Sequence, residues 1–163
     1  MFFNLVLNIH IHISVKKVIL NAFFHMYFVI FIDFYLFYCY TSEKGGVNMK
    51  RLIERRFIEW KNSVNRKPLL IYGARQIGKT YSMIAFGKEY YTNTVYCNFE
   101  STSDLHVIFE RDLDPERIVR AISTMYNTQI TKGGTLIIFD EIQACERALT
   151  SLKYFQEQAN DYH

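Results

Sequence analysis

Hydrophobic and polar positions follow three different periods along the chain, and each period predicts a different kind of element. Over residues 49–64, Ile53, Phe57, Trp60 and Val64 recur at i, i+4, i+7 and i+11, while Arg51, Arg55, Glu59 and Asn62 fall on the other side. That spacing predicts an amphipathic helix. Ile58 lies nearer the polar side and marks a second, minor contact. Asn65-Arg66-Lys67-Pro68 then ends the helix, because the residue before a proline is biased away from helical geometry. Leu69-Leu70-Ile71-Tyr72 is a short continuous apolar run of the kind found in strands buried on both faces. A helix-compatible stretch follows over 81–88. Residues 94–100 return to period two, with Val95, Cys97 and Phe99 on one face.

Helices are predicted at 102–110 and 115–126. The second has Asp114 as N-cap, Pro115 at its first position, and Ile118, Val119 and Ile122 facing inward. Gly133-Gly134 reads as a turn. Thr135-Leu136-Ile137-Ile138-Phe139 is a third buried strand, and a helix over 146–158 carries Leu149, Leu152 and Phe155 as its packing stripe. Strands alternating with helices point to an α/β fold with a parallel sheet.

The first strand runs into Gly73-Ala74-Arg75-Gln76-Ile77-Gly78-Lys79-Thr80, which is Gly-x-x-x-x-Gly-Lys-Thr, the P-loop signature. Strand, glycine-bearing loop and helix are the context that gives this motif meaning. Gly73 and Gly78 let the backbone turn without a Cβ in the way, so successive N–H groups can face phosphate oxygens. The helix that begins near Gly78 directs the positive end of its dipole at the same anion. Lys79 is the candidate partner of the β- and γ-phosphates, and the Thr80 hydroxyl is a hard oxygen ligand for Mg²⁺. Residues 73–81, through Tyr81, are the candidate nucleotide contacts. The bland alternative is an ordinary glycine turn.

The third strand ends in Asp140-Glu141. In an open α/β sheet, ligands bind outside the carboxyl ends of the strands. Asp140 is therefore aimed at the cation that Thr80 would hold. Glu141 is placed to accept a proton from an attacking water. The alternative is a solvated acidic turn. Glu100 has two readings, orienting a water or capping the next helix. Trp60 also has two, stacking on an adenine or anchoring its helix in the core, the second being the ordinary fate of such a residue.

Composition changes this picture at one end only. Residues 1–40 hold 12 aromatic residues and no Gly, Pro, Arg, Glu or Gln, whereas residues from Met49 onward carry 16 of the 19 Lys+Arg and 14 of the 16 Asp+Glu. A membrane segment over 18–40 is long enough to span. Asp33 inside it would cost about 2.5–3.5 kcal/mol, and Lys16 and Lys17 lie on the wrong side for an internal ATP-handling domain. No small-residue cleavage site follows, as a secretory signal requires. The other reading sets residues 1–48 aside as a translated upstream region. Lys44-Gly45-Gly46-Val47-Asn48-Met49 can be encoded as AAA GGA GGT GTA AAT ATG, which contains a bacterial ribosome-binding sequence ahead of an ATG. On that reading the domain is 49–163 and begins at Met49.

Three dispersed cysteines (Cys39, Cys97, Cys145) point to reduced thiols in the cytoplasm rather than a disulfide frame or zinc site, the alternative location being a membrane anchor through 18–40. His10 and His12 lack a third ligand. The net charge of +3 gives no indication of nucleic acid.

The order of a basic amphipathic helix, Gly-Ala-Arg-Gln-Ile-Gly-Lys-Thr, Tyr-Cys-Asn-Phe-Glu and Phe-Asp-Glu-Ile-Gln followed by Arg147-Ala148-Leu149 resembles a family of prokaryotic AAA-type ATPases with a C-terminal domain of unknown function. The likeness runs from about Met49 to His163. It implies a three-layer P-loop NTPase sandwich that binds ATP with Mg²⁺ and hydrolyses it. Lys79 and Thr80 would then lie on phosphate and Mg²⁺, Asp140 on Mg²⁺, and Glu141 would be the catalytic base, with Lys79 also catalytic. Gln143 matches the block without an assigned role. The resemblance also implies an incomplete fold, an N-terminal fragment that stops before a sensor strand. In such folds that strand lies between the P-loop strand and the Asp-Glu strand, so a slot is expected there, and no arginine finger can be assigned. Partners implied are ATP, and a second copy or a C-terminal domain. A nucleotide-binding module without turnover is the alternative, and a small-molecule kinase a weaker one.

Overall fold

The computed structural model describes residues 28–32, 49–74 and 76–163. Its elements in chain order are β1 (Phe28–Ile32), α1 (Met49–Lys61), β2 (Leu69–Gly73), α2 (Lys79–Tyr90), β3 (Asn93–Asn98), α3 (Asp104–Glu110), α4 (Pro115–Met125), β4 (Thr135–Asp140), a short 3₁₀ turn (Ile142–Ala144) and α5 (Glu146–Gln158). The strands form two parallel pairs. β1 lies beside β2, from Phe28 opposite Leu69 to Ile32 opposite Gly73. β3 lies beside β4, from Asn93 opposite Thr135 to Asn98 opposite Asp140.

Helices cover the strands on two sides. On one side Val95 and Cys97 of β3, with Phe99 just after it, pack with Leu105 and Phe109 of α3, Ile118 and Ile122 of α4, and Ala148 of α5. On the other, Leu136 and Ile138 of β4 pack with Phe57 and Trp60 of α1 and Phe86 of α2. The alternation along β3 and β4 decides which residue joins which core, as the pleat requires. This layering of helices about parallel strands is compatible with a P-loop-like α/β fold.

Local chemistry explains most element ends. Asp114 caps α4 by accepting from the Arg117 N–H at 3.2 Å, and Pro115 occupies the first turn, where its missing N–H costs nothing. Arg117 also reaches back to Asp112 at 2.5 Å and to the Ile108 carbonyl at 2.7 Å, which fixes the α3–α4 corner. Gly133 has φ +69°, the left-handed geometry glycine supplies in the turn before β4. The Gly134 carbonyl accepts from Thr92 and Asn93, which sets the β3–β4 register.

Three expectations need correction. Helix α1 ends at Lys61, so Val64 leaves its stripe and is 94% exposed. The Trp60 indole donates to the Lys67 carbonyl at 2.7 Å, drawing the chain back across the helix end before another turn can form. In α5 the fully buried residues are Ala148 and Ser151, whereas Leu149 and Leu152 are half-buried. Small side chains let the helix approach the Phe-rich core closely, and the Ser151 hydroxyl is satisfied by the Ala148 carbonyl at 2.6 Å. β3 stops at Asn98, before Glu100, because the Asn98 side chain accepts from the Glu100 and Ser101 N–H groups and folds the chain into a turn. Residues 28–32 form a strand on β2. The β-rich sequence Phe-Val-Ile-Phe-Ile suits that edge. The histidine pair, Cys39 and the rest of the membrane-segment reading lie outside the described residues. Among the described residues no helix is long and apolar enough to cross a membrane.

Candidate functional site

β2 delivers Gly73 to the start of the loop, and α2 begins at Lys79. Gly78 sits at φ +80° with nothing within 4 Å of where a Cβ would be, so backbone conformation rather than crowding calls for glycine here. Gln76, at φ 64°, takes the left-handed region without being glycine. Such geometry costs of order 1–3 kcal/mol, so neighbouring structure must hold it. The Lys79 ammonium folds back over the loop and donates to the carbonyls of Gly73 at 2.9 Å and Ala74 at 2.6 Å. Its charge therefore lies over the loop, in the turn where an anion would meet the N-terminus of α2. Ile77 is half-buried, Tyr81 is 78% exposed, and Arg75 lies outside the described residues.

The first turn of α2 also carries Thr80, whose hydroxyl donates to Oδ2 of Asp140 at 2.9 Å. The structure thus brings together the two sequence blocks whose pairing carries the chemical reading. Asp140 is held on every side. Its Oδ1 accepts from the Glu141 N–H at 3.1 Å, and its Oδ2 accepts a second bond from the Tyr96 hydroxyl at 2.7 Å. Asn98 donates in turn to the Tyr96 oxygen at 3.1 Å. Burial, and the carboxylate it donates to, push the Tyr96 phenol above its ordinary pKa, so it stays a donor.

Glu141 follows in the left-handed region at φ 52°, and its carboxylate accepts from the Gln143 amide. The sequence left Gln143 without a role, and this contact supplies one. Glu100 is exposed in the turn after β3. The N-cap position of α3 is Ser103, so Glu100 does not cap that helix. Trp60 is 7% exposed and anchors α1, not a nucleotide.

Tyr96 and Asn98 belong to the Tyr-Cys-Asn-Phe-Glu block, to which the sequence assigns no role at the site. The signal was there: alternation puts Thr94, Tyr96 and Asn98 on the face of β3 opposite Val95, Cys97 and Phe99. What strand pattern alone does not reveal is that the neighbouring strand presents Asp140 to that face.

The oxygen set around Thr80 and Asp140 fits Mg²⁺, which takes one or two protein oxygens together with phosphate oxygens and water. No group of three or more His, Cys, Asp or Glu residues that could hold a metal occurs among the described residues, and a phosphate-shared cation does not need one.

Strand, loop and helix beside a second strand that ends in two carboxylates describe a P-loop-like α/β domain. The chain matches the AAA-domain family over residues 65–163, more than half its length, and it belongs to that family. Membership brings nucleotide-binding, ATPase-like function with it. No curated protein and no solved structure matches the chain.

Proposed function

We propose that this protein binds ATP with Mg²⁺ and hydrolyses it to ADP and phosphate. The observation that carries the reading is the 2.9 Å bond between Thr80 and Asp140, which joins the P-loop to the Asp-Glu strand. Residues 73–80 cradle the phosphates with backbone N–H groups, and Tyr81 borders them. Lys79 leaves its loop carbonyls and pairs with the β- and γ-phosphates, compensating charge that grows on the leaving oxygen. Thr80 and Asp140 hold the cation, which would supply charge neutralisation and in-line alignment of the phosphates. Glu141 takes the proton of the water whose oxygen bonds to the γ-phosphorus as the bond to the bridging oxygen breaks. The finer family reading, a prokaryotic member working in the cytoplasm with a C-terminal domain or as an oligomer, belongs to this proposal. Buried, unpaired Cys97 and Cys145 agree with a reducing compartment.

The test is Mg²⁺-dependent phosphate release by the full chain, with Lys79→Ala and Glu141→Gln as controls. Release well above the Lys79→Ala background, abolished by Glu141→Gln, supports hydrolysis. ATP binding without release supports the second reading, a nucleotide-binding module without turnover. That reading is favoured by one contact: Gln143 already occupies the Glu141 carboxylate.

A further inference from the structure

We infer that the Tyr96 hydroxyl is a positioning group that fixes the Asp140 carboxylate for the cation bound with nucleotide, an assignment that rests on the ATP reading above. Tyr96 lies in neither of the two motifs. It stands on β3, one strand over from Asp140, on the side that faces α1 and α2. Its hydroxyl donates at 2.7 Å to Oδ2, the oxygen that also accepts from Thr80. The phenol oxygen itself accepts from Asn98 at 3.1 Å, so its own proton is committed to the carboxylate. Asn98 is locked in turn by the Glu100 and Ser101 N–H groups at 3.0 and 2.8 Å. A chain of hydrogen bonds therefore runs from the backbone of the β3 turn through Asn98 and Tyr96 to Asp140.

The two donors on Oδ2 have different duties. The Thr80 hydroxyl would give a lone pair to the cation while its proton stays on Asp140, so its position is shared between the two partners. Tyr96 approaches from another strand and has no such second task. It holds the carboxylate plane whether or not Thr80 is engaged. Oδ1 is tied by the Glu141 N–H on the main chain, and Tyr96 supplies the second fixed point. Two fixed points determine the rotation of a carboxylate about its Cβ–Cγ bond, whereas one does not. Partners that orient a metal-binding carboxylate are commonly worth 10–100-fold in metal affinity.

Tyr96→Phe removes the hydroxyl and leaves the ring. The experiment measures ATP affinity of the full chain by calorimetry, first in EDTA and then along a Mg²⁺ titration, for wild type and variant. The expected result is a Mg²⁺ midpoint raised roughly 10-fold. ATP affinity in EDTA should stay within about twofold, because only the cation-dependent part passes through Asp140, while the nucleotide-free melting temperature falls by a few degrees, the cost of one lost buried hydrogen bond. An unchanged Mg²⁺ midpoint overturns the assignment. An equal loss with and without Mg²⁺ also overturns it, since that marks a structural role. A wild-type chain whose ATP affinity does not respond to Mg²⁺ overturns the ATP reading itself, which separates the two failures.

Discussion

Thr80 and Asp140, sixty positions apart in sequence, share a 2.9 Å hydrogen bond across the gap between β2 and β4. The two strands are not paired with one another, so this contact ties the loop to the carboxylate strand through side chains alone. Asp140→Asn keeps the shape and one acceptor oxygen but removes the charge. Phosphate release should fall about 100-fold, the scale of losing one electrostatic group in a site of this kind. ATP affinity in EDTA should hold. A variant as active as wild type would show that Asp140 is only a structural acceptor.

Glu141→Gln tests the next residue separately. The amide keeps the side-chain length and can still meet Gln143, so the turn at φ 52° is undisturbed. It cannot take a proton from water. Turnover should drop about 10²–10⁴-fold while ATP stays bound. A smaller drop, measured as single-turnover phosphate release, would place the base elsewhere.

Both motifs and the core faces were legible because each rests on local rules. The glycine spacing needs a loop, and Asp114-Pro115 needs a helix start. Val95, Cys97 and Phe99 need one buried face. What stayed hidden depends on which elements become neighbours. Val64 continues the helical period perfectly, yet the pull of Lys67 on Trp60 ends the helix first. Tyr96 looks like an ordinary strand residue until β4 is beside it. Residues 28–32 carry no capping or turn signal that ties them to β2, and pairing across such a separation leaves no mark on local pattern.

Close packing of α2 on β3 gives a stability test away from the site. A Cβ on Gly87 would stand 2.4 Å from Oγ1 and 2.7 Å from Cγ2 of Thr94. Thr94 is β-branched, so rotating its side chain moves one of these two atoms toward the Cβ as the other leaves it. Gly87→Ala should therefore destabilise by about 1–3 kcal/mol despite its better helix propensity. Adding Thr94→Ala should restore most of the loss. Melting temperatures of the two single variants and the double variant decide it, and additive losses would deny the clash.

His163 is expected to make stability pH-dependent. Its ring meets the Tyr91 hydroxyl at 2.8 Å and packs against Trp60. Burial, then the Arg66 and Lys61 cations, press its pKa down to about 4. The unfolded chain takes up this proton near the ordinary value of 6.5 and the folded chain does not until about 4. Between those values the unfolded state binds more protons, so stability falls as pH drops from 6.5 toward 4 and is level above 6.5. The ring is only half-buried, and solvent screening should keep the loss below about 2 kcal/mol. His163→Gln should flatten the melting temperature between pH 7 and 5. An unchanged slope would assign the effect to other groups.

The gap between β2 and β4 sets the last expectation. It holds an apolar cavity of about 150 Å³ lined by Leu70 and Ile71 from β2, Ile137 and Phe139 from β4, and Leu152 and Phe155 from α5. At about 24 cal/mol per Å³, leaving such a space unfilled costs up to about 3.6 kcal/mol. Unpaired strand edges add a route to self-association. On the β4 side the Ile137 N–H already donates to the His163 carbonyl at 2.8 Å. We expect the 163-residue chain to associate readily and to bind ATP weakly. Residues 49–163 alone should fare worse, because they lose the β1 pairing on β2. Sedimentation and thermal melting test this. A monomeric 49–163 chain with a sharp two-state melt, raised several degrees by Mg-ATP, would show that the cavity is tolerated and that β1 is not needed.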